Sequence, residues 1–174
     1  MDYFEQFAIP VKGMKKGIHE YFFDIDNEFF SRFKDSLISE GEYKVKLTCD
    51  KRDSLMTLNF EVSGTYKSVC DRCLARIEIP TLIDYTVYLK YRYTQGRDLE
   101  GGDVIFIDEN QHTYNLADII YQIITLSMPV QSLYDCKNDP EPKCDFEMLE
   151  RLEQHKEQAS VNPVWAKLKD INKN

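Results

Sequence analysis

Long apolar runs are missing from these 174 residues, and nothing approaches the roughly 20 consecutive apolar residues of a membrane span. The opening stretch, MDYFEQFAIPVKG, has no basic region followed by an apolar run. No export signal is therefore expected, and the cytoplasm is the expected location. Histidine is scarce: His19, His112 and His155 stand far apart, with no H-x-x-x-H and no Cys–His spacing. There is no phosphate-cradling glycine loop, no G-x-S-x-G and no H-E-x-x-H. The carboxylate groups Asp24, Asp26 and Glu28, and Asp103, Asp108 and Glu109, come without a His or Lys partner, so no catalytic constellation is legible and a non-enzyme is expected. Internal repeats and low-complexity stretches are absent too.

Basic excess is also missing. The net charge is −8, yet residues 1–97 hold 15 Lys+Arg and 15 Asp+Glu, while residues 98–174 hold 7 and 15. All the acidity lies in the second part. A uniformly acidic chain is a poor non-specific binder of nucleic acid, because phosphate binding rests on cations. A neutral region with an acidic appendage is less discouraging.

Aromatics are plentiful, with 11 Tyr and 10 Phe, which suits a β-rich fold. Glu5–Val11 reads as a short strand. His19–Ile25 alternates, and Asp26 or Asn27 can cap a short helix through Phe33. In Glu42–Asp50, Tyr43, Val45, Leu47 and Cys49 face one way and the polar residues the other. Leu55–Ser63 repeats the pattern after a hairpin turn, and Thr65–Val69 continues extended. Leu82–Tyr93 is a long strand, and Gly101-Gly102 marks a turn before Val104–Ile107. Strands half-buried on one face are expected to pair antiparallel. The period then changes: Leu116, Ile119, Ile120, Ile123 and Ile124 recur at helical spacing behind Asn115 as N-cap, and Pro129 stops the helix. Phe146–Gln158 reads as a charged helix.

The expected fold class is α+β: an antiparallel, twisted or barrel-like sheet packed by one main helix, with a helical C-terminal tail. Residues 1–133 are expected as a single domain, and residues 134–174 as a cysteine-bearing loop and acidic helical tail.

Five cysteines in a chain without an export signal are expected to be reduced. Cys70 and Cys73 form a C-x-x-C turn between strands, and Cys136 and Cys144 form a looser downstream pair. Four thiolates in two separated pairs can hold one structural zinc ion, since a C-x-x-C turn places two sulfurs on one tetrahedral metal. Free thiols, some buried, are the alternative. A redox role is disfavoured because strands, not a helix N-terminus, flank the turn. Cys49, on an apolar strand face, reads as a core residue.

Lys44 and Lys46 share the polar face of one strand, Tyr88, Lys90 and Arg92 that of another, and Arg72 and Arg76 flank the cysteine turn. Brought together, these would form a basic, aromatic face of the kind that contacts RNA. A solvated sheet face is the plain alternative. Trp165 and Leu168, in a segment opened by Asn162-Pro163, read either as a helix docked on its own domain or as a partner-binding element.

The order of these features resembles one family. It runs I-P-V-K-G from Ile9 to Gly13, F-D-I-D from Phe23 to Asp26, V-C-D-R-C-L from Val69 to Leu74, the helix N-L-A-D-I-I-Y-Q-I-I-T-L-S-M-P from Asn115 to Pro129, and N-P-V-W-A-K-L-K from Asn162 to Lys169. It is similar to the YceD-type family of large ribosomal RNA subunit accumulation proteins, in the form of Bacteroidetes-type bacteria. The resemblance implies a cytoplasmic bacterial protein that supports accumulation or processing of 23S rRNA. Its partners would be that rRNA or a ribosome-assembly protein, with no membrane and no small-molecule substrate. The resemblance brings no catalytic residues. Many relatives carry a tighter second cysteine cluster than Cys136 and Cys144. A zinc-stabilised protein-interaction module without RNA contact is the alternative.

Overall fold

A computed structural model describes residues 2–158, except Ser54, residues 92–102, Glu109 and Lys137. Two compact units divide the chain, one of Met1–Lys67 with Glu78–Val130 and one of Ser68–Ile77 with Gln131–Asn174.

The first unit opens with a 3-10 turn, Tyr3–Phe7, where a strand was expected to begin. The Asp2 carboxylate accepts the Phe4 N–H and winds the chain there, so only β1 (Ala8–Pro10) is extended. It pairs antiparallel with β7 (Thr113–Asn115). The main sheet has five strands in the order β2-β3-β4-β5-β6. These are β2 (Gly17–Ile25), β3 (Gly41–Lys51), β4 (Leu55–Val69), β5 (Arg76–Tyr91) and β6 (Val104–Ile107).

β2–β3 and β3–β4 are antiparallel, with Tyr21 opposite Leu47 and Leu47 opposite Phe60. β6 departs from the antiparallel expectation: it lies parallel to β5, with Tyr88 opposite Val104 and Tyr91 opposite Ile107. Twelve residues separate Tyr91 from Val104 in sequence, and a parallel return needs about a dozen. The sheet is open, not closed as a barrel, with β2 and β6 as its edges.

The alternation read from the sequence is the burial pattern observed. Tyr43, Val45, Leu47 and Cys49 of β3 are buried, as are Met56, Leu58, Phe60 and Val62 of β4. Each fully buried Leu, Val or Phe side chain contributes about 1.5–3 kcal/mol. Two helices belong to the same core. In α1 (Asn27–Ser31) the Asp26 carboxylate caps the Phe29 N–H at 3.1 Å, and Phe29 and Phe30 are buried. In α2 (Ala117–Leu126) the Asn115 side chain accepts the Ala117 N–H at 2.9 Å, and Ile119, Ile120, Ile123 and Ile124 are buried. Phe33, just past α1, stacks on Tyr121 of α2 with centroids 4.1 Å apart.

The second unit holds the turn joining β4 to β5 and the chain from Gln131. Its helix, α3 (Phe146–Gln158), starts where Asp145 accepts the Met148 N–H at 3.0 Å. Arg151 pairs with Glu147 one turn back.

Candidate functional site

The Cys70–Cys73 turn is closed by its own backbone. The Cys70 N–H donates to the Ala75 carbonyl at 2.9 Å, and the Leu74 N–H to the Cys70 carbonyl at 2.8 Å. Leu74 sits at φ 60°, a left-handed conformation rare for a branched side chain. Folding back this tightly aims the Arg72 and Cys73 N–H groups at the Cys70 sulfur. Burial opposes the Cys70 thiolate. Those two N–H groups, the Cys73 thiol and the Arg72 guanidinium outweigh it and hold the Cys70 pKa below the ordinary thiol value. A buried sulfur surrounded by donors is prepared to be a thiolate, the form that binds metal.

The two residues between these cysteines build the rest of the site. The Asp71 N–H donates to the Ser132 carbonyl at 2.8 Å, and its carboxylate accepts the Ser132 N–H at 2.7 Å. Arg72 donates to the Tyr134 carbonyl at 3.1 Å and to the Cys136 sulfur at 2.9 Å. Ser68 and Ser132 hydroxyls meet at 3.2 Å. This clamp draws the 132–136 strand of chain against the turn. The sulfurs of Cys73, Cys136 and Cys144 consequently lie within 4.8 Å of one another.

The Cys136 and Cys144 sulfurs lie at disulfide distance, where the sequence leads to five reduced thiols. Cys49, Cys70 and Cys73 are free and buried. The reduced form would present the three sulfurs of Cys73, Cys136 and Cys144 in one place, with the buried Cys70 thiol beside Cys73. Zinc–sulfur bonds of about 2.3 Å put tetrahedral ligand sulfurs a little under 4 Å apart, which this cluster accommodates. Arg72, bonded to the Cys136 sulfur, would offset part of the negative charge of a thiolate cluster there. Cys73, Cys136 and Cys144 are thus placed to share a metal ion, and Cys70 adjoins Cys73 in the same turn.

The basic residues read from the sequence are distributed differently. Arg72 belongs to the cysteine clamp, and Arg76, also in the second unit, is exposed. Lys44, Lys46 and Lys90 share the outer face of the main sheet with Tyr88. Arg92, Trp165 and Leu168 lie outside the described residues.

Strand pairing brings acids onto that same face. Across β2, β3 and β4 it carries the carboxylates Glu20, Asp24, Glu42, Asp50 and Glu61 against the ammoniums Lys44, Lys46 and Lys67, the last paired with Glu40 at 2.5 Å. Lys46 is held between Glu20 at 3.3 Å and Glu61 at 3.5 Å. The hydrogen bond that Lys46 donates to Glu20, then the nearby Glu61, raises its pKa. Asp50 pairs with Arg52 at 2.8 Å. Reading one strand at a time shows the lysines; only the register shows the carboxylates between them.

The sequence reading also missed an apolar cavity of about 250 Å³ in the first unit, lined by Ile83, Val87, Ile105, Ile119 and Ile123. Tyr85 donates to Asp103 at its rim, 2.5 Å away.

The family model for the large ribosomal RNA subunit accumulation protein YceD matches residues 58–172. The chain belongs to the YceD family. The matched span begins within β4 and takes in Cys70, Cys73, Cys136 and Cys144; β2, α1 and β3 precede it. The YceD family is described by large-subunit rRNA accumulation and not by a reaction. No curated protein and no solved structure matches the chain. Among the described residues, no helix is long and apolar enough to cross a membrane.

Proposed function

We propose that this chain is a non-enzymatic, cytoplasmic ribosome-biogenesis factor that supports accumulation of 23S rRNA by binding a protein partner on the large-subunit pathway. The membership in the YceD family carries the pathway. The excess of carboxylates over ammoniums on the outer sheet face favours a protein partner over RNA there, because phosphates need cations. Direct rRNA contact is the second reading, favoured by Lys44, Lys90 and Tyr88 standing exposed on one face.

In-cell crosslinking of the tagged protein, with sedimentation of its complexes, separates the two. Co-sedimentation with large-subunit precursors and no enriched RNA is expected. Enrichment of one 23S region that disappears with Lys44→Glu/Lys90→Glu would establish the RNA reading, and absence of both signals would refute the assembly role.

We further propose that Cys70, Cys73, Cys136 and Cys144 bind one structural zinc ion in the reduced protein. Bound metal would tie the 132–144 segment to the turn, a task that the Asp71 and Arg72 hydrogen bonds already begin. Reduced protein should bind one zinc per chain, Cys73→Ser should lose it and Cys49→Ser should retain it. Equal zinc content in all three would discard the site.

A further inference from the structure

We propose that the free edge of β2 is a docking strand for a basic, extended polypeptide segment, which adds to the sheet as a sixth strand beside β2. The inference names the partner class for the assembly role proposed above and rests on that reading for where the partner is sought.

β2 is the first strand of the open sheet and, among the described residues, pairs with β3 alone. In an antiparallel ladder alternate residues turn their N–H and C=O groups away from the neighbour, so the nine residues of β2 offer a row of backbone groups on the open side. Soluble proteins usually guard such an edge with charge, proline or a bulge. Here the guard is partial and of one sign. Along the outer face the edge reads Ile18, Glu20, Phe22, Asp24, and Ile18 and Phe22 are 72% and 70% exposed. Two large apolar side chains on a free edge, spaced by carboxylates, are poor protection and good recognition. The carboxylates repel an acidic strand and favour one with Lys or Arg opposite Glu20 and Asp24.

The rows behind the edge add to this selectivity. Lys46, opposite Phe22, is already held by Glu20 and Glu61, and the face as a whole keeps its carboxylate excess. On the other side of the strand His19, Tyr21 and Phe23 are only half-buried, which leaves apolar surface for an incoming strand's alternate residues. The pattern that fits is therefore basic and apolar in turn on the outer face, and apolar or Thr on the inner. Main-chain hydrogen bonds supply affinity in this mode and alternate side chains supply specificity. β2 precedes the residues matched by the YceD model, so the matched span does not account for this edge.

The test uses the full chain and a fluorescein-labelled peptide, Lys-Val-Ile-Thr-Lys-Val-Ile. Its controls are the same peptide with Glu for Lys and one N-methylated at alternate amides. Saturable binding of the lysine peptide is expected, weakened at least tenfold in either control, with amide shifts in the protein's NMR spectrum concentrated on β2. Ile18→Lys/Phe22→Lys should lose at least tenfold in affinity; both side chains are exposed, so an unchanged melting temperature checks the fold. Equal binding of the Lys and Glu peptides, shifts mapping elsewhere, or an unaffected double variant would overturn the proposal. Displacement of the peptide by a large-subunit RNA oligonucleotide that itself shifts β2 would assign the face to RNA instead. Peptide failure with retained co-sedimentation on large-subunit precursors removes the docking strand alone. Peptide binding without co-sedimentation removes the assembly role alone.

Discussion

Gly64 is the position where this sheet tolerates no side chain. It lies opposite Tyr43 in the β3–β4 ladder, and the Tyr43 ring lies across it. A Cβ added there would overlap the Glu42 carbonyl oxygen and stand 2.7 Å from Tyr43 Cα and 2.5 Å from Tyr43 Cδ1. Two of these three obstacles are backbone, so no rotamer change relieves them, and β3 and β4 must separate locally. Overpacking a core costs about 1–3 kcal/mol where side chains can yield; with backbone in the way Gly64→Ala is expected at the top of that range, about 3 kcal/mol. For a chain of this size that lowers the melting temperature by about 6–12 °C. Urea unfolding followed by far-UV circular dichroism gives the number, with Ser63→Ala on the exposed face as a control expected to change stability by less than about 0.5 kcal/mol. Tyr43→Ala in the Gly64→Ala background separates ring from backbone: it removes one obstacle and leaves two, so it should restore nothing. A Gly64→Ala variant within about 0.5 kcal/mol of wild type, or one rescued by Tyr43→Ala, would refute the reasoning.

Burial, opposed by Lys51 and reinforced by Asp50, pushes the Cys49 thiol from 9.0 up to about 11. The unfolded chain therefore releases this proton first, and stability falls as pH rises from about 9 to 11, by about 2–3 kcal/mol. The stability gap between wild type and Cys49→Val should shift by that amount across the window, and a pH-independent gap would show that Cys49 does not contribute. Lys51 Nζ donates to the Tyr91 hydroxyl at 3.0 Å, and that hydroxyl donates to the Val11 carbonyl at 2.7 Å. Tyr91→Phe strands a nearly buried ammonium and a carbonyl and should cost about 1–3 kcal/mol in chemical denaturation. Adding Lys51→Met should recover part of it, and additive losses would deny the coupling. Asp71→Ala removes the carboxylate that accepts the Ser132 N–H, keeps the backbone bond and touches no sulfur; a competition titration should find zinc affinity reduced about 10-fold or more, and an unchanged affinity would separate the clamp from the site.

Much of the fold was legible because one buried face writes itself into a strand every second residue. Tyr43 to Cys49 and Met56 to Val62 announce both their strands and their inward sides. The isoleucines of α2 do the same at helical period, and α3 was read with its observed bounds. What sequence could not show was direction and neighbourhood. Apolar Val104–Ile107 reads alike whether its strand runs parallel or antiparallel, and only its partner Tyr88–Tyr91 fixes the sense. Asp2 turned the expected first strand into a 3-10 turn through one side-chain hydrogen bond, a local competition that periodicity does not register.

The same distinction governs the candidate sites. A C-x-x-C turn is visible because its geometry is local. The approach of Cys136 and Cys144 to it depends on Asp71 and Arg72, residues whose spacing carries no metal signature and whose partners, Ser132 and Tyr134, lie some sixty positions on. Arg72 looked like a phosphate contact for the same reason: its charge was legible and its hydrogen bonds were not. On the sheet, Lys46 looked available until the register set Glu20 and Glu61 on either side of it. Charge read along a strand counts what that strand offers; charge read across the ladder counts what a partner meets. For this chain the second reading adds Glu20, Asp24 and Glu61 to the face that Lys44 and Lys46 share, and the proposal of a protein partner rests on that addition.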